Sequence, residues 1–140
     1  MHLAAVRPST GDRFELVVAP RHPLGESIPR YLEVSADRLL GGAGEEEALR
    51  AWRAFAGEDA VVGAWGTFAL EMLRALGDPP RNSIDLRQGA IRALRGQKPG
   101  GVERAASLLT GRGGSASAQG RCGRRLAALE MVLEGLLRSP

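Results

Sequence analysis

The stretch "VVGAWGTFALEML" (61–73) decides the expected fold, because it predicts a buried strand that turns sharply into an amphipathic helix. We expect the residues of this helix that face the core to be Phe68, Leu70, Leu73 and Leu76. In α/β proteins, ligands and catalytic side chains gather at this end of a strand. Here the positions at the junction are Ala64, Gly66, Thr67 and Ala69. The junction therefore offers no acid, base or metal ligand.

Two short β-prone runs precede this unit, "LAAVRP" (3–8) and "RFELVVAP" (13–20). They are joined by "STGD", and each ends at a proline that cannot continue a ladder, so they predict a β-hairpin. After a loop, "EEEALRAWRAFAG" (45–57) predicts a helix whose acidic first turn suits the helix dipole. The apolar stripe of this helix places Trp52 and Phe55 in the core.

The chain after residue 77 predicts one more strand, "SIDL" (83–86), and then mainly helices. Asp85 lies near the end of this strand. The predicted helices cover residues 86–96, 100–111 and 124–138. The Gly/Ser-rich segment 111–123 predicts a flexible loop, and Asp85 is expected to cap the helix that follows it. This order indicates an α/β fold with a mixed sheet flanked by helices, in a single domain of residues 1–140.

The composition is that of an ordinary globular protein, with 44% hydrophobic and 25% charged residues. No apolar run reaches the roughly 20 residues of a membrane helix, and the start lacks a signal-peptide pattern. The single cysteine, Cys122, excludes an internal disulfide, and with two histidines it cannot form a structural zinc site. We therefore expect a cytoplasmic protein with no membrane association, no metal and no cofactor.

The basic residues are concentrated in the second half of the chain. Residues 87–125 hold nine cations and one anion, whereas residues 30–59 hold four cations and seven anions. Guanidinium groups bind phosphate through paired hydrogen bonds, so the basic stretch favours RNA or DNA as a partner, although a basic surface without function would look the same. The residues predicted to bind the nucleic-acid backbone are Arg92, Arg95, Lys98, Arg112, Arg121, Arg124 and Arg125.

Three of these arginines stand at the predicted start of the last helix, where the dipole disfavours cations. An anion bound beside Arg121, Arg124 and Arg125 would remove that conflict. The same arginines flank Cys122, so a reactive thiol with a lowered pKa is one interpretation, and an incidental cysteine is the other.

The order of elements resembles the proofreading-type 3′-5′ exonucleases of the RNase H-like superfamily, over nearly all 140 residues. The similar stretches are "RFELVVAP", "VVGAWGTFALEML", "SIDLR", "PGGVERAASLLTG" and "GRCGRRLAALEMVLEGLL". The resemblance implies an RNase H-like mixed sheet. It also implies four carboxylates that hold two metal ions and so activate water for phosphate hydrolysis.

The positions that should hold those carboxylates carry none. The family's Asp in the middle helix corresponds to Ala69, and the His or Tyr and the Asp of the last helix correspond to Gly123 and Ala128. The chain begins at the family's second strand, so the central first strand with its Asp-x-Glu is missing. Either the chain is one domain of a longer polypeptide, or a partner such as a second copy completes the sheet.

Three functions follow from these observations. The first is a catalytically inactive exonuclease-like domain that binds RNA or DNA, as an accessory to a fused or associated enzyme. The second is a protein-interaction or dimerisation module without nucleic-acid binding. The third is an active metal-dependent nuclease with atypical ligands. We expect no catalytic residues. Glu71 could be a displaced metal ligand, but a solvated helix face is the favoured interpretation.

Overall fold

The strands form two separate two-stranded sheets in the computed structural model, which describes residues 1–113 and 119–138. Strands β1 (His2–Arg7) and β2 (Asp12–Val17) form the antiparallel hairpin, as predicted. Strands β3 (Val61–Ala64) and β4 (Asn82–Asp85) are parallel, with Ala64 paired with Asp85. The α/β class is confirmed, but the strands are divided between two sheets where the sequence predicted one mixed sheet.

A close backbone approach fixes the end of the hairpin. The N–H of Ala43 donates to the carbonyl of Val17, and the N–H of Ala19 donates to the carbonyl of Ala43. A Cβ on the neighbouring Gly42 would lie 2.8 Å from both Val17 O and Ala19 N, so this close approach requires glycine. The backbone groups of Val17 and Ala19 at the end of the hairpin are therefore bonded to residue 43.

The described residues form seven helices. These are α1 (Ile28–Leu32), α2 (Ala36–Leu40), α3 (Glu45–Ala56), α4 (Phe68–Leu76), α5 (Leu86–Ala93), α6 (Val102–Thr110) and α7 (Gly120–Arg138). Helix α7 begins four residues earlier than predicted, so the last four residues of the predicted loop 111–123 are helical. Residues 114–118 of that loop lie outside the described residues.

Backbone contacts divide the chain into two compact units. Unit 1 contains Met1–Gly57 and α7 up to Leu126, and unit 2 contains the following segment from Glu58 together with α7 from Ala127. The single domain expected over residues 1–140 stays a prediction.

The core of unit 1 is built from the hairpin and the helices that pack on it. Val17, Val34 and Leu39 form a buried apolar cluster. Helix α3 packs on β2, where Trp52 contacts Phe14 edge-on with 5.7 Å between ring centroids. Trp52 is 7% exposed, which confirms its predicted core position.

The core of unit 2 lies among α5, α6 and α7. Its buried residues are Leu86, Ala90, Val102, Ala105, Ala106, Ala128 and Val132. Small residues let the helices approach closely, since a Cβ on Gly135 would lie 2.7 Å from Leu109 Cβ. The predicted inward position of Phe68 is wrong, because its side chain is 71% exposed. Phe68 is five residues before the buried Leu73, which places it about 140° away around the helix.

Candidate nucleic-acid interface

Asp85 ties together the two strand ends at the junction that the sequence singled out. Its Oδ1 accepts hydrogen bonds from the N–H of Arg87 at 2.9 Å and from the N–H of Gly66 at 3.0 Å. The first bond caps α5, which confirms the predicted role of Asp85. The second holds the turn before α4, where Gly66 adopts a left-handed φ of 73°. The carboxylate at this sheet edge therefore has a structural role.

The positions that the sequence resemblance aligned with metal ligands differ in their surroundings. Ala69 is exposed on α4, whereas Ala128 is 5% exposed within the apolar core of unit 2. Gly123 is buried in the first turns of α7. Within residues 1–113 and 119–138, no group of three or more His, Cys, Asp or Glu side chains is placed to hold a metal ion.

Arginines at the start of α7 meet partners from the same chain. Arg124 donates both terminal nitrogens to the carboxylate of Glu33, and the bond from Nη2 to Oε1 is 2.7 Å long. The guanidinium of Arg121 lies 4.4 Å from the ring centroid of Tyr31. The hydrogen bond from Arg124 lowers the pKa of Glu33, and the charge of Arg121 adds to this effect. The anion expected beside these arginines is therefore supplied, in this structure, by Glu33.

Two other members of the predicted set are also constrained. Arg112 donates to Glu134 Oε2 at 2.7 Å within unit 2, so its charge is partly neutralised. Arg125 is half-buried in the first turns of α7, so its guanidinium is less accessible to a ligand.

The remaining predicted cations differ in having no carboxylate partner among the described residues. They are Arg92, Arg95 and Lys98. All three are exposed. They fall within seven consecutive residues at the end of α5 and in the loop before α6, which we call the α5–α6 basic segment. Arg95 has a left-handed φ of 44°, and non-glycine residues in this region often mark functional sites.

Cys122 is a half-buried thiol rather than an activated one. Burial raises the pKa of Cys122, and the charge of Glu15 raises it further. The thiol lies 3.5 Å from the carbonyl of His2, which it contacts as a donor. The interpretation of a lowered pKa from the flanking arginines is wrong, because the influence of Arg125 is outweighed by desolvation.

Beside this thiol, Glu15 links the hairpin to α2. Its Oε1 lies 3.0 Å from His2 Nε2 and accepts a 2.6 Å bond from Arg38. Burial raises the pKa of Glu15, but the hydrogen bonds from His2 and Arg38 lower it more, so the net shift is downward. Arg38 also donates to Gln119 Oε1 at 2.9 Å, which ties α2 to the residue before α7.

Unit 1 also contains an open cavity of about 230 Å³. Its apolar lining includes Leu24, Ile28 and Leu39, with Arg21 at the edge. Arg21 is paired with Glu45, and the cavity is smaller than the roughly 300 Å³ at which small-molecule sites begin. We therefore assign the interface to charged surfaces and not to this cavity.

Sequence reasoning missed Glu33 and Tyr31, and no local pattern could have revealed them. Glu33 and Arg124 are 91 positions apart, so only the fold brings them together.

Comparison with protein-family models, with curated proteins and with solved structures finds no match to this chain. Among the described residues, no helix combines the length and apolar character that crossing a membrane requires.

Proposed function

We propose that this chain is a catalytically inactive, exonuclease-like domain that binds the backbone of RNA or DNA through the α5–α6 basic segment. The observation that carries the proposal is the exposure of Arg92, Arg95 and Lys98 without carboxylate partners among the described residues. Elsewhere, Arg21, Arg38 and Arg124 are each engaged by a carboxylate. Three unneutralised cations in so short a segment form a natural contact for successive phosphates.

The exonuclease-like part of the proposal rests on the resemblance of the sequence. The hairpin, the parallel β3–α4–β4 unit and the helices that follow have the expected order, which supports an RNase H-like origin. Ala69, Gly123 and Ala128 have no ligating atoms in their side chains, which supports loss of catalysis. We place such a domain in the cytoplasm, as an accessory to a fused or associated nucleic-acid-processing enzyme.

The test is the salt dependence of binding to a labelled single strand, measured by fluorescence anisotropy. If three phosphates are neutralised, the slope of log affinity against log salt should be about −2, since each contributes about −0.7 on single strands. RNA and DNA should bind with similar slopes, because contacts to the backbone do not read sequence. Absence of binding at low salt would reject the proposal.

A second candidate function is self-association through unit 2. The register places Val61 and Ile84 on the same face of the β3–β4 pair, and they are 58% and 51% exposed. Parallel sheets are normally covered on both faces, so this open apolar face favours a second copy as its cover. Sedimentation equilibrium tests it: a dimer that Val61→Lys dissociates would support this function, and a monomer at all concentrations would reject it.

The third function, an active nuclease with atypical ligands, has its own measurement. Magnesium- or manganese-dependent cleavage of a labelled single strand would establish it and reject the inactive domain. We expect no cleavage, because the positions that should carry the catalytic carboxylates are Ala and Gly.

A further inference from the structure

Glu33 and the arginines of α7 form a charge cluster with an excess of cations. Arg124 holds the Glu33 carboxylate in a two-bond contact, and Arg121 and Arg125 lie within one turn of Arg124. The charge of Arg121 also lowers the pKa of Glu33, so Arg121 and Arg124 both act on this carboxylate. The described residues that face this cluster from α1 include Tyr31, whose ring stacks under Arg121 but brings no charge.

The backbone fixes the place where this cluster forms. Gly120 has a φ of 74°, and a Cβ at this position would lie 2.9 Å from Leu32 O and 3.1 Å from Glu33 O. Glu33 itself has a left-handed φ of 56° at the end of α1. The two chain segments therefore meet through close backbone contact, which does not depend on the Glu33 side chain.

We propose that Arg121 and Arg124 form a phosphate-binding site that Glu33 occupies in the free protein. A guanidinium donates paired hydrogen bonds to phosphate and to carboxylate oxygens in the same geometry, so a phosphate group can replace the carboxylate without rearranging Arg124. The side chains of Arg124 and Glu33 are 47% and 41% exposed, and such solvent-exposed pairs are weak. A phosphate-bearing polyanion can therefore displace Glu33.

This inference rests on the proposed function, because the polyanion that it names is the nucleic-acid backbone. It adds a second contact point, in unit 1, to the α5–α6 basic segment of unit 2. It also makes Glu33 an intramolecular competitor that lowers the affinity of the resting protein for phosphate.

The structure provides a matched control for the competitor. Arg21 and Glu45 form an equivalent two-bond pair in unit 1, with exposed fractions of 65% and 40%. Glu33→Gln and Glu45→Gln change the net charge of the protein equally, and each leaves one arginine without its carboxylate. Only Glu33→Gln frees an arginine that has further cations beside it.

The experiment uses inorganic tripolyphosphate and a single-stranded RNA, each titrated into the full chain by calorimetry at low salt. Glu33→Gln should bind both about two- to fivefold more tightly than the wild type, which is the range expected for removal of an exposed ion pair. Glu45→Gln should bind both with wild-type affinity. Arg124→Gln should weaken tripolyphosphate binding, while Arg21→Gln should not.

Equal behaviour of Glu33→Gln and Glu45→Gln would overturn the site, since the gain would then reflect net charge alone. If either glutamate variant fails to fold, as seen by circular dichroism, the comparison of Arg124→Gln with Arg21→Gln tests the site instead.

The proposed function and the proposed site can fail independently. If the wild type binds no RNA but Glu33→Gln still gains tripolyphosphate affinity, the function is rejected and the site stands. If RNA binds without any difference between the variants, the function stands and the site is rejected.

Discussion

Replacing Trp52 by alanine should destabilise the protein strongly. The indole is 7% exposed, lies between α3 and β2, and contacts Phe14 and Phe55 with ring centroids 5.7 and 6.2 Å away. Phe14 and Phe55 stack on each other at 5.2 Å, so the substitution opens a cavity that two neighbouring rings line. Removal of a large aromatic side chain from such a core costs about 3–5 kcal/mol.

Urea unfolding followed by circular dichroism measures this loss, and Phe68→Ala is the matched control. Phe68 is also aromatic and helical, but it is 71% exposed, so its removal should change the free energy of unfolding by less than about 0.5 kcal/mol. Equal losses in the two variants, or an unchanged midpoint for Trp52→Ala, would refute the described packing of α3 on the hairpin.

Three further predictions concern single polar groups. Asp85→Ala should cost about 1 kcal/mol through loss of the α5 cap, while Asp59→Ala, at an exposed turn, should cost nothing measurable; equal urea midpoints would contradict the cap. Because its pKa is lowered in the folded state, Glu15 should stabilise the protein above about pH 4.5 and lose this effect as the pH falls through the lower folded value. Acid titrations of the wild type and Glu15→Gln should therefore converge at low pH, and parallel curves would refute this. Cys122 should react with iodoacetamide at pH 7.5 more slowly than free cysteine, because burial raises the pKa of its thiol; faster reaction would contradict this environment.

Elements with strong local signals could be predicted from the sequence. The acidic first turn and the apolar stripe of α3 place Trp52 in the core, and Asp85 caps α5 as its position at a strand end suggests. These features depend on neighbours within a few residues, and the chain determines them locally.

The features that sequence reasoning missed depend on contacts across the chain. The end of the hairpin is fixed by hydrogen bonds of Ala43 with Val17 and Ala19, about 25 positions earlier. The exposure of Phe68 is different, since its five-residue spacing from Leu73 already places it about 140° away around α4.

The candidate interface also has a part that local sequence predicts and a part that depends on distant contacts. The exposure of Arg92, Arg95 and Lys98 was expected from a local run of basic residues. The engagement of Arg124 by Glu33 was not, because a carboxylate 91 positions away gives no signal in the surrounding sequence. The fold determines which charged side chains stay unpaired. A count of basic residues therefore overestimates how many are available to bind a ligand.

The central claim is that the α5–α6 basic segment binds the nucleic-acid backbone. Its most direct test compares the triple variant Arg92→Ala, Arg95→Ala, Lys98→Ala with a control that removes three exposed arginines elsewhere, Arg50→Ala, Arg53→Ala, Arg81→Ala. Single-strand affinity is measured across a salt series for both variants and the wild type. We expect the first variant to bind more weakly and with a flatter slope than the wild type, and the control to keep the wild-type slope. Equal losses of affinity and slope in the two variants would contradict the central claim.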